Sequence, residues 1–221
     1  MKKSLVTFLI AILWMILHSA PATAQSPQDV VTVGTGTGGP LTVVDIPVFI
    51  LDRSTTSLGM DQPAGSRIQS YSIKVDYAPA SAVQSVTFTR AGITTSLTPT
   101  FESSPSGAGT ISLLDTFQEA TNPIPFALNA PAPGNQVAHL TFTLSSSVTP
   151  GTTITLTLDP VLTQLTDQAG SGATKESVTN GNLALVSGAI SITAGSGPTL
   201  STWALILLAA SLTFVAVRMR L

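Results

Sequence analysis

The chain has 221 residues, no cysteine, a formal net charge of −2 and 9% charged residues, against about 25% in an ordinary globular protein. Between Gln25 and Gly197 five basic residues stand against eleven acidic ones, so no basic stripe exists to displace counterions from a phosphate backbone, and nucleic-acid binding is excluded. The missing cysteines exclude a disulfide framework, so an exported fold must rest on its own core.

The N-terminus carries Lys2 and Lys3, an apolar stretch from Leu5 to Leu17, and then Ala22-Thr23-Ala24. A basic start, an apolar centre and a small-x-small site predict a secretory signal peptide over residues 1–24, with the mature chain starting at Gln25. Candidate strands follow at Val30 to Val33 and Val43 to Leu51. The glycine-rich run Gly34 to Gly39 between them lacks the Lys and the helix of a phosphate-binding loop, and reads as a hairpin turn. From Tyr71 to Tyr77 the residues Tyr71, Ile73, Val75 and Tyr77 alternate with Ser72, Lys74 and Asp76, the period-2 pattern of a half-buried strand.

Val83 to Thr89 and Thr110 to Phe117 are the next strands. In the following one Ala138, Leu140, Phe142 and Leu144 oppose Val137, His139, Thr141 and Thr143, and after it Ile154, Leu156 and Leu158 oppose threonines. The last strand spans Leu183 to Ile192, where Ser187-Gly188 shifts the apolar phase and suggests a bulge. Turn clusters such as Pro131-Ala132-Pro133-Gly134 and Thr149-Pro150-Gly151 punctuate the series. The hydroxyl-rich composition alone would also suit a disordered stalk, but the recurring alternation supplies enough apolar surface to offset chain entropy. The expected fold is therefore all-β, a two-sheet antiparallel β-sandwich over residues 25–193, with Tyr71, Ile73, Val75, Leu140, Phe142, Ile154 and Leu156 between the sheets.

Catalytic constellations are sparse. His139 is the sole histidine of this region and falls on a threonine-bearing face, so neither a nucleophilic triad nor a histidine zinc site can be assembled. The carboxylates Asp115 and Glu119, and Asp52 and Asp61, read as solvated loop acids. Calcium would need a denser oxygen-ligand loop than Asp52 to Asp61 offers, so no cofactor is expected. Trp14 and Trp203 lie in the terminal segments, and Tyr71 and Tyr77 on an apolar strand face, which leaves no aromatic row for stacking on a glycan.

After a linker at 194–198 comes Thr199-Leu200-Ser201-Thr202-Trp203, opening an apolar run from Leu200 to Val217 that closes with Arg218 and Arg220. Eighteen residues at ~1.5 Å each make roughly 27 Å, close to a bilayer core of about 30 Å. Segment 199–221 is thus predicted to cross a membrane with its arginines in the cytoplasm, Trp203 at the interface and the sandwich outside.

The series Val31-Thr32-Val33-Gly34, Val44-Asp45-Ile46-Pro47-Val48, Ile68 to Tyr77 before Ala78-Pro79, Gly109 to Ser112, Gln136 to Phe142, Pro150 to Leu156, Val178-Thr179-Asn180-Gly181 and Gly188 to Ile192 resembles the cohesin domains in order and spacing. That resemblance implies a jelly roll related to carbohydrate-binding modules, with no catalytic role, that binds dockerin modules through the exposed face of one sheet. The face would carry Ile68 to Tyr77 and Thr110 to Phe117, making Ser70, Ser72, Lys74, Asp76, Ser112 and Leu114 the candidate contacts. The implied function is attachment of a dockerin-like protein at the cell surface, linked to polysaccharide catabolism; the alternative is a matrix or carbohydrate-binding module touching extracellular polysaccharide directly. The tail resembles the Ile-Pro-Thr-Leu-Ser-Glu-Trp-Gly sorting signals processed by exosortase-type peptidases. It keeps Pro198, Thr199, Leu200, Ser201 and Trp203, with Gly197, Thr202 and Ala204 in the other three places. This implies a sorting peptidase as a partner and transfer of the mature protein outward.

Overall fold

The computed structural model describes residues 27–167 and 174–194. The predicted signal peptide, the sorting motif and the apolar tail lie outside the described residues. Among the described residues no helix is long and apolar enough to cross a membrane.

Fourteen strands are described: β1 Asp29–Val33, β2 Thr35–Gly38, β3 Val43–Leu51, β4 Ser70–Ala78, β5 Val83–Arg90, β6 Phe101–Ser103, β7 Ser106–Gly107, β8 Thr110–Thr116, β9 Asn135–Leu144, β10 Thr153–Leu158, β11 Gln164–Thr166, β12 Lys175–Ser177, β13 Leu183–Val186 and β14 Gly188–Ile192. One sheet has the order β13-β1-β3-β9-β5. The other runs β12-β11-β4-β10-β14-β2, with β8 on the far side of β4 and β6 and β7 beyond β8. β11 and β10 share one edge of β4, β11 pairing with Ser70 to Ser72 and β10 with Val75 to Ala78.

The core lies where the alternation places it. Tyr71, Ile73, Val75, Leu140, Phe142, Ile154 and Leu156 are all buried between the sheets. Phe142 meets Tyr77 edge to face with ring centroids 5.6 Å apart, and Tyr71 lies 6.3 Å from Phe117, both within the range of favourable aromatic pairs.

Four expectations are revised. Both sheets are mixed rather than purely antiparallel, because β1 runs parallel to β13 and β2 parallel to β14. The cause is a double crossing: the chain passes from one sheet to the other at Gly34 and again at Ser187, so its first and last segments travel side by side. The expected bulge at Ser187-Gly188 is this crossing, and a Cβ on Gly188 would fall 2.0 Å from the Gly34 carbonyl oxygen, so only glycine fits. The expected hairpin turn at Gly34 to Gly39 contains strand β2. Val137, expected beside His139 on a wet face, is buried instead. A bulge between the β3 and β9 registers shifts the phase there, with Val48 facing Ala138 but Phe49 facing Gln136.

Candidate interaction surface

β4 and β8 pair antiparallel in a register that sets Ser70 opposite Thr116, Ser72 opposite Leu114, Lys74 opposite Ser112 and Asp76 opposite Thr110. Because side chains alternate, all of these point away from the core, while Tyr71, Ile73, Val75, Ile111 and Leu113 point into it. The structure therefore brings the six candidate contacts onto one outward face. β6 widens it, with Ser103 opposite Leu114 and Phe101 opposite Thr116, and on the other side Thr157 of β10 lies opposite Asp76.

Hydrogen bonds hold this face in shape. Ser70 donates to the Asp115 carbonyl (2.8 Å) and its Oγ lies 2.9 Å from Thr116 Oγ1. Ser72 donates to the Leu162 carbonyl at 2.8 Å. Lys74 Nζ sits 2.9 Å from Asp159 Oδ2 and 3.5 Å from Asp76 Oδ1. The Asp159 hydrogen bond raises the Lys74 pKa and, reciprocally, holds the Asp159 carboxyl below its usual range. This charge group sits partly exposed at the surface, so it contributes orientation more than stability.

Sequence reasoning missed the segment Asp159 to Thr163, which crosses the gap between β10 and β11. Asp159 Oδ1 accepts the N–H groups of Val161 and Leu162 at 2.8 and 2.9 Å, an Asx turn that projects both side chains outward. Val161 is 71% exposed, Leu162 48% and, across the face, Phe101 54%. The dipeptide Asp159-Pro160 was the available signal, since Asp before Pro favours turn initiation. The face thus carries a hydroxyl centre, one ion group and an apolar margin.

The acids expected to be solvated are not all so. Asp115 is buried and accepts the Tyr71 hydroxyl at 2.7 Å; burial pushes its carboxyl up to about 6. Glu119 pairs with Arg67 at 3.6 Å. Asp52 is fully buried beside Asp29 of β1 and Glu176 of β12, at the end of the sandwich where β3 terminates. Each of these three acids accepts a backbone N–H from one loop: Asp29 from Arg53 (2.7 Å), Glu176 from Leu58 (2.9 Å) and Asp52 from Met60 (2.9 Å). Asp29 and Glu176 also lie side chain against side chain, and Asp29 Oδ2 and Glu176 Oε2 are buried with no other hydrogen-bond partner.

Two carboxyl groups can share a hydrogen bond only if one keeps a proton. Burial first, and the Glu176 charge second, push Asp29 up to about 9, so the pair keeps one proton at neutral pH. Burial also raises Glu176 and, together with the Asp61 and Glu176 charges, lifts Asp52 to about 6. No three His, Cys, Asp or Glu side chains among the described residues converge as a metal cage. Asp29, Asp52 and Glu176 together clasp loop 53–60 to the sheets. His139 lies on the outer face of the other sheet, its Nε2 2.9 Å from Thr89 Oγ1.

No protein-family model matches the chain, and no curated protein matches it. Solved structures do. A cohesin from Clostridium acetobutylicum is 23% identical with a TM-score of 0.53, covering 78% of this chain and 95% of its own. The same cohesin in a dockerin complex scores 0.52 at 23% identity, covering 75% and 100%. The third ScaC cohesin of Acetivibrio cellulolyticus, bound to the ScaB dockerin, scores 0.53 at 18% identity, covering 76% and 100%. The sandwich has a cohesin-like fold.

Proposed function

We propose that the domain is a non-catalytic protein-interaction module that captures a dockerin-like partner on the outer face of β4 and β8 and displays it outside the membrane. The observation that carries this reading is the continuous face of Ser70, Ser72, Lys74, Asp76, Ser112 and Leu114, bordered by Phe101 and Leu162. Its hydroxyls and single ion group provide polar register, and the exposed apolar side chains provide the anchors that such interfaces need. The solved relatives found in complex with dockerins support a partner of that kind. Direct stacking on polysaccharide is less well served, since Tyr71 and Tyr77 are both buried.

In this account the chain is made as a precursor with an export leader, held at the membrane by its tail, and handed to the exterior by a peptidase that cuts at the Pro198 to Ser201 motif. The test of the interaction is capture of the protein on an array of immobilised dockerins, with wild type against Leu114→Asp. Capture of wild type and its loss in the variant, with an unchanged circular dichroism spectrum, is the expected result. Equal capture of both removes this face from the account, and no capture of either removes the dockerin-like partner.

A further inference from the structure

One end of the sandwich bears no charge at its tip, the nearest charges on β3 and β4 being Asp45 and Asp76, two residues in from Val43 and Ala78. It is formed by the β2–β3 turn, the connection from Ala78 to Val83, the turn at Gly107 to Gly109, the segment Ser145 to Thr152 and the exit of β14. Backbone bonds knit these together: Leu144 N–H to Thr42 O, Ser145 N–H to Ala82 O, Gly151 N–H to Ile192 O, Tyr77 N–H to Gly109 O and Thr193 N–H to Gly38 O. The stretches 34–44, 77–89, 105–110, 142–158 and 185–197 contain no Asp, Glu, Lys, Arg or His at all. The opposite end, by contrast, carries Arg53, Asp61, Arg67 and Glu119.

The tip of the uncharged end presents Leu41, 67% exposed, and Val43, 60% exposed. Leu41 also has φ of +61°, a left-handed backbone that glycine or asparagine adopts more readily. Packing within the domain therefore gives no reason for a leucine there. This is also where the chain leaves the sandwich: Thr193 bonds to Gly38, next to that tip. Six residues, 194–199, then separate Thr193 from the apolar run that starts at Leu200, and fully extended they reach at most about 21 Å. The nine residues of β4 are roughly 30 Å long, so the charged end cannot touch the surface that holds the tail while the sandwich stands upright on it.

We propose that the uncharged end rests on the lipid bilayer that holds the tail, with Leu41 and Val43 entering the headgroup layer. This rests on the reading of the tail as membrane-inserted. An end free of charge seats against headgroups without stripping water from ions, and an exposed Leu–Val pair has an apolar destination there. The short tether keeps that contact at high effective concentration. With the strands standing away from the bilayer, the β4–β8 face points sideways and stays open to a partner.

The protein has no cysteine, so single reporters can be placed on the full chain reconstituted in phosphatidylethanolamine–phosphatidylglycerol vesicles. A fluorophore on Leu41→Cys should be quenched several-fold more by nitroxide-headgroup lipid than one on Ala64→Cys at the charged end. A reporter on Thr149→Cys should lose most of its quenching when Leu41→Glu and Val43→Glu are added, while the protein still floats with the vesicles. Equal quenching at 41 and 64 in a protein that floats with the vesicles overturns the docking but leaves the tail insertion standing. Unchanged quenching at 149 in the double variant does the same. A chain that does not float with the vesicles overturns both.

Discussion

Replacing Asp29 with asparagine isolates the proton held between Asp29 and Glu176. The amide is nearly isosteric: its oxygen still accepts the Arg53 N–H that Oδ1 accepts now, and its NH2 donates to Glu176 where the shared proton sits. What disappears is the titration. The Asp29 carboxyl has an ordinary pKa of 3.8 when unfolded and about 9 in the fold, so across that window the native state holds a proton that the unfolded state has released. Its contribution is complete below the unfolded value and is lost as pH rises through the folded one. One proton corresponds to about 1.4 kcal/mol per pH unit, so from pH 5 to pH 7 wild type should lose on the order of 2 to 3 kcal/mol at this site, and the variant nothing. That is a sizeable share of a margin of about 5 to 15 kcal/mol. Asp115, whose neighbours are Tyr71, Glu102 and Arg90, titrates in both proteins and cancels in the difference. Urea unfolding of both proteins at half-unit steps from pH 5 to pH 8 measures this directly, provided m stays constant. The stability of Asp29→Asn relative to wild type should climb steadily with pH. Parallel pH profiles would refute the shared proton.

Other substitutions test the rest of the reasoning. Phe142→Ala removes a fully buried ring stacked edge-on with Tyr77 and should cost about 3 to 5 kcal/mol, read as a lower urea midpoint. Gly188→Ala drives a methyl into the Gly34 backbone, and should lower the melting temperature far more than Gly151→Ala, where a Cβ meets open space and only the φ of +88° opposes the change. Leu114→Asp should abolish partner capture without altering the fold. Mass spectrometry of the mature surface protein should find its C-terminus near Pro198 to Ser201; an intact peptide through Leu221 in the whole surface population would leave a plain membrane anchor.

The strand faces were legible because they rest on a local periodicity of two: β3 and β10 coincide with their expected ranges, and all seven named core residues are buried. The outer face of β4 and β8 followed from the same alternation. What eluded sequence reasoning depends on contacts between distant segments. Nothing near Asp52 announces that Asp29 and Glu176 will lie against it, so an acid read as solvated turns out to be buried with two others. Ser187-Gly188 carried a correct local signal, a break in apolar phase, but whether such a break means a bulge or a change of sheet is decided by Gly34, far away in the chain. Val137 shows the reverse, a phase error inside a strand that periodicity had read as regular.

The parallel pairing of the first and last strands has a consequence for the order in which the molecule can be assembled. β1 finds one neighbour, β13, and β2 its neighbour, β14, roughly 150 positions later in the chain. A nascent chain that ends before Leu183 has β3 through β9 available for local hairpin-like pairing but leaves one flank of β1 and all of β2 bare. Loop closure over that span comes late and slowly. The sandwich is therefore completed from its two ends inward upon the last dozen residues of the domain, immediately ahead of the tail. The two sheets close only when Leu183 to Ile192 arrive, and they close together.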